Sequence, residues 1–138
     1  MSKKRLALSL LVVLSILSMC IYFAIESMSY LFGKHEFIVV NGVLNQISVY
    51  AMIYMLVVAI LGGVRQLKGN MTPVSSNVKR FVFIGFFISG VIGVLNFTAQ
   101  NHYVSKNNFV LCKDLTQLDT RFYSKTYAKD INLCDELL

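Results

Sequence analysis

The run Phe81 to Ala99, FVFIGFFISGVIGVLNFTA, contains no ionisable side chain. As a helix it covers about 30 Å, the hydrocarbon thickness of a bilayer. Inside lipid every backbone N–H and C=O must be paired within its own segment, so helix is the conformation expected. Lys79 and Arg80 stand directly before the run, and a polar tail of mixed charge follows it to Leu138. A span at this position puts the two flanks on opposite sides of a membrane.

Two further apolar runs match it. The start, MSKKR followed by LALSLLVVLSILSMCIYFAI, has the outline of a secretory signal, but its apolar run continues to Ile25. That is span length, so an uncleaved membrane helix is expected over 6–25. Met19 before Cys20 is a poor fit to a lipoprotein cleavage site. Within this span Ser15, Ser18, Tyr22 and Glu26 recur at helical spacing and predict a mildly polar stripe for helix packing. The stretch Phe37–Val64 is longer than one span needs. Its membrane portion is expected over 47–64, with 26–46 as an outer connection and helix extension. Asn41 and Asn45 are four residues apart there, sharing one face if the segment is helical.

Charge fixes the orientation. Lys3, Lys4 and Arg5 open the chain, and Arg65, Lys68, Lys79 and Arg80 occupy the loop 65–80, which has no acidic residue and holds Pro73, the only proline. The first connection has one lysine, Lys34. By the positive-inside rule the amino end and the 65–80 loop are cytoplasmic, and 26–46 and the tail 100–138 are periplasmic. Hydrophobic residues make up 56% and charged ones 14%, which is membrane-protein composition. The net charge of +6 therefore reads as orientation signals beside apolar runs, and no nucleic-acid partner is expected.

In the span over 81–99, Gly85, Ser89 and Gly93 stand at four-residue intervals. This small-residue stripe lets two backbones approach closely. Packing on the protein's own helices is the first reading and self-association into a homo-oligomer the second. Asn96-Phe97-Thr98 and Asn70-Met71-Thr72 match the glycosylation pattern, but one abuts lipid and the other faces the cytoplasm. Fewer than forty residues of tail cannot bury much of a core. A Cys112–Cys134 cross-link in an oxidising compartment answers that deficit, worth about 3 kcal/mol for such a loop. Cys20 lies within a span as a small hydrophobe. The two histidines, His35 and His102, form no metal-ligand spacing with the cysteines, so neither metal nor cofactor is expected.

The layout resembles an uncharacterised family of small three-span enterobacterial inner-membrane proteins. The resemblance rests on the Lys3-Lys4-Arg5 start, three apolar segments, and a tail with Tyr103, Cys112, and Tyr127-Ala128-Lys129-Asp130 leading to Leu133-Cys134. It implies a periplasmic tail bracketed by cysteines and no particular activity, although such proteins often sit beside toxin genes.

The expected fold is thus an all-α membrane protein: three transmembrane helices and a small disulfide-stapled periplasmic tail. No convergent nucleophile, acid or mid-membrane ionisable group is present in the spans, so binding is expected rather than catalysis or ion transport. The first reading is an immunity protein that neutralises a membrane-targeting toxin, whether pore-forming, colicin-like or type VI secreted. The alternative is a non-catalytic accessory or assembly subunit of a larger envelope complex. Membrane lipid and a protein are the partners either reading requires.

Overall fold

A computed structural model describes residues 3–33, 35–69, 75–113, 115, 117–118 and 123–136. Pro73, the Asn70-Met71-Thr72 pattern and Lys34 lie outside the described residues. Three long helices dominate: α1 (Lys3–Ser29), α2 (Val43–Leu67) and α3 (Ser76–Lys106). Each is long and apolar enough to cross a membrane. All three run past the expected spans, since polar residues at both ends continue the helix beyond the apolar core.

α2 is the middle helix and packs against both neighbours. On α1 the inward positions are Leu6, Leu10, Val13, Leu17, Cys20, Ala24 and Ser27, buried or half-buried. Their alternating steps of four and three keep one seam against a neighbouring helix. At the other side of the seam Gly63 makes room for Leu10; a Cβ there would lie 2.6 Å from Leu10 Cδ2. α3 turns Ser89, Gly93, Asn96, Gln100 and Val104 inward. A Cβ on Gly93 would lie 2.7 Å from Ile47 Cα and 2.8 Å from Ile47 N, so the two backbones touch there. Gly85 receives the Tyr54 ring, whose hydroxyl donates to Phe81 O at 3.4 Å. The small-residue stripe therefore packs within the chain, on α2. Successive helices run antiparallel.

Away from these seams the helices expose large apolar side chains, among them Leu8, Leu11, Phe81, Phe83 and Phe87. In water an apolar surface this broad would drive association.

The chain is not all-α. Four short strands form one antiparallel sheet: β1 (Phe37–Asn41), β2 (Val110–Leu111), β3 (Gln117–Leu118) and β4 (Tyr123–Ala128). β4 pairs with each of the others. Residues 37–41, within the stretch 26–46 expected as outer connection and helix extension, lie in β1, opposite Ala128 to Ser124. The β-branched run Ile38-Val39-Val40 suits a pleated, half-buried surface. Its partner strand lies far along the sequence, and so no local pattern announces it.

The sheet caps the end of the bundle where α1 and α3 finish and α2 begins. Ile38 and Val40 are almost fully buried with Val104 of α3, and Tyr30, Phe97, Tyr103, Phe109 and Tyr127 pack around them. Burying each of the two β1 side chains contributes about 1.5–3 kcal/mol. Cys112 and Cys134 form the expected disulfide, with Cα atoms 5.5 Å apart. It ties the segment after β2 to the short helix α4 (Asn132–Glu136), while Cys112 N donates to Thr126 O at 2.9 Å. The first connection and the tail are thus one unit at one end of the bundle. Lys4, Arg5, Arg65, Lys68, Lys79 and Arg80 sit toward the other end, together with the backbone position of Lys3.

Gly93→Val will drive α2 and α3 apart and lower the free energy of unfolding by about 1–3 kcal/mol. Gly62, where an added Cβ meets nothing within 4 Å, is the control. Unfolding in mixed micelles by added dodecyl sulfate should separate Gly93→Val from both Gly62→Val and the parent protein.

Candidate functional site

Beneath the sheet the three helices meet through four buried polar side chains: Ser27 of α1, Gln46 of α2, and Asn96 and Gln100 of α3. Asn96 and Gln100 are one turn apart on the α3 face that continues Ser89 and Gly93, and Gln46 lies in the first turn of α2. Gln100 Nε2 donates to Ser27 O at 2.6 Å and to Ser27 Oγ at 2.7 Å. Gln46 Nε2 donates to Ser27 Oγ at 2.8 Å, and Asn96 Nδ2 reaches the same oxygen at 3.0 Å. Asn96 Nδ2 also reaches Gln46 Oε1 at 3.0 Å. Three amide groups converge on one hydroxyl oxygen that has two lone pairs, so they share it. Asn96 Oδ1 is buried and has no hydrogen-bond partner among the described residues. In low dielectric such a network is costly to break and fixes one arrangement of its elements.

Beside this cluster lies a groove of about 700 Å³ between the end of α1, β1 and the start of α2. α1 supplies Phe23, Glu26 and Ser27, which share one helix face, and the turn directly after it supplies Tyr30. α2 supplies Asn45, Gln46, Ser48 and Val49, and β1 supplies Val39 and Asn41. The strand divides the space by its pleat. Ile38 and Val40 face the core on α3, and Val39 and Asn41 face the groove. Among the described lining residues Glu26 is the one that is formally charged. Burial, then the charges of Glu26 and Tyr22, push the Tyr30 phenol above its ordinary pKa, so Tyr30 keeps its proton and acts as a donor. Ser48 Oγ donates to Leu44 O at 2.8 Å. The side chains of Glu26, Asn41 and Asn45 have no hydrogen-bond partner among the described residues.

The structure redistributes the residues singled out in the sequence. Asn41 and Asn45 do not share a helix face, because Asn41 is in β1 and α2 starts at Val43; both nonetheless line the groove. Ser15, Ser18 and Tyr22 lie on the exposed side of α1. The two serine hydroxyls donate to Leu11 O and Ser15 O, each at or below 3.0 Å, so they need no neighbouring helix. Glu26, from the same stripe, reaches the groove. Ser27, Tyr30, Gln46 and Gln100 were not anticipated. Ending the third span at residue 99 cut Gln100 from its helix, although its spacing from Asn96 was the signal that joined them.

Comparison with protein-family models, with curated proteins and with solved structures gave no match. The reading of this end of the molecule therefore rests on its own chemistry.

Gln100→Leu removes the Nε2 donor that serves Ser27 O and shares Ser27 Oγ, and it deprives the buried Ser27 carbonyl of that side-chain partner, at a cost of about 1–3 kcal/mol. Thermal unfolding in detergent, followed by circular dichroism, should show a lowered midpoint for Gln100→Leu. Ser15→Ala should leave the midpoint unchanged, since that hydroxyl only turns back on its own helix.

Proposed function

We propose that this is a multi-pass protein of the bacterial inner membrane, amino end in the cytoplasm and sheet-capped end in the periplasm. Two independent considerations support that orientation. Seven basic residues, with no acidic one among them, flank the spans at the end opposite the sheet, as the positive-inside rule asks of a cytoplasmic face, whereas the lysines of the sheet end are accompanied by acidic residues. The Cys112–Cys134 disulfide belongs in an oxidising compartment.

In this reading the protein works by binding, as an immunity protein that neutralises a membrane-targeting toxin arriving from the periplasmic side. The observation that carries it is the cap: two segments far apart in the chain are joined into one sheet, and a disulfide staples the tail segment. Such a rigid outer platform suits recognition, because little ordering cost remains when a partner docks. Its surface exposes Val110, Leu111, Tyr123 and Ile131, and Lys125 lies 5.5 Å over the Tyr123 ring. Aromatic side chains with apolar neighbours are the usual anchors of protein interfaces. The toxin's inserting segment is held at this cap and kept from completing a pore.

Expression in a sensitive strain should protect it from a toxin encoded beside this gene. The double variant Tyr123→Ala, Lys125→Ala should lose that protection at equal abundance in the membrane. Undiminished killing by every such toxin, with stable partner subunits retained through gentle-detergent purification, would support the accessory-subunit reading instead.

A further inference from the structure

The groove between α1, β1 and α2 has a chemistry of its own. Its volume of about 700 Å³ lies within the range of small-molecule sites. It is placed where α1 ends at Ser29 and α2 begins at Val43, the level at which two membrane-length helices give way to the connection that carries β1. Along α1 its lining changes from Phe23 to Glu26 and Ser27 toward the helix end, with Tyr30 just beyond it; along α2 it changes from Val49 to Asn45 toward the helix start. On the two helices the apolar lining therefore lies toward the spans and the polar lining toward the cap, where β1 adds Val39 and Asn41. Phe23 and Ser48 are exposed on the outer surfaces of their helices, so the groove opens sideways between them.

We propose that this groove binds the headgroup of a phospholipid that carries a primary ammonium. The ammonium has three N–H donors for the Glu26 carboxylate and the side-chain oxygens of Asn41 and Asn45. The phosphate and glycerol ester oxygens accept from the Tyr30 hydroxyl and the asparagine amide groups, while the acyl chains run down past Phe23 and Val49. The Glu26 carboxylate, the Asn41 and Asn45 amides and the Tyr30 hydroxyl have no hydrogen-bond partner among the described residues, as a ligand site requires. The Tyr30 phenol, pushed further above its ordinary pKa by burial, is protonated at neutral pH and is a donor. A quaternary ammonium has no N–H to give Glu26. An anionic headgroup without an amine meets the carboxylate as a like charge. The site is thus selective by charge and by donor count, and this holds whether or not the cap binds a toxin.

The test is native mass spectrometry of the purified full chain released from nanodiscs of defined composition. Discs contain equal amounts of phosphatidylethanolamine, phosphatidylcholine and phosphatidylglycerol. The parent protein should retain one phosphatidylethanolamine at least fivefold in preference to the other two. Glu26→Gln, an exchange of similar shape at an exposed position, should abolish the preference with the thermal midpoint unchanged. Asn45→Trp, which fills the groove, should retain no lipid at this site. Glycerophosphoethanolamine, the same headgroup without acyl chains, should fail to displace the lipid at millimolar concentration. Equal retention of the three lipids, a preference that survives Glu26→Gln, or full displacement by the soluble headgroup would each overturn the proposal.

Discussion

Four polar side chains buried where three apolar helices converge set the terms for the rest of the molecule. Ser27, Gln46, Asn96 and Gln100 can satisfy one another only in a narrow range of helix positions, because their donors converge within about 3 Å on one serine. Apolar seams alone allow sliding, since lipid tails are as apolar as the side chains they replace. The seam of α1 and the glycine contact of α3 bring the helices together; the polar cluster fixes their register. That register leaves the end of α1 and the start of α2 the right distance apart for β1 to lie across the end of α3.

β1 then serves two spaces at once. Through Ile38 and Val40 it completes a small core with Val104, and through Val39 and Asn41 it walls the groove. Its backbone is paired along β4, which the tail supplies after β2 and β3. A tail this short holds too little apolar surface to fold by itself. It borrows the end of α3 and the first connection for its core, and the disulfide closes the loop that carries β4. Folding of the cap is therefore tied to assembly of the helices beneath it, and the groove exists only once both are in place.

Much of this was legible from residues that act locally. Long apolar runs specify membrane-length helices, and the Gly85, Ser89 and Gly93 intervals mark a close helix contact whose partner the structure identifies as Ile47 and Tyr54 of α2. Pairing of the two tail cysteines follows instead from the expected outer location of the tail and its small core. The sheet was hidden because β1 and β4 recognise each other across most of the chain. On α1, serine spacing was a misleading guide: Ser15 and Ser18 satisfy themselves, whereas the less conspicuous leucine and alanine steps from Leu6 to Ser27 mark the packed face. The groove depends on a strand, two helix ends and their register together, so no single segment declares it.

The proposed placement requires an odd number of crossings, with the disulfide-bearing cap outside and the basic amino end inside. Labelling of spheroplasts with a membrane-impermeant maleimide tests this most directly. Cys112 and Cys134 should stay unlabelled until an impermeant reductant is added, then react from outside, while a thiol placed by Lys4→Cys reacts only after lysis. Tail thiols that label before reduction, or only after the cells are opened, would contradict it.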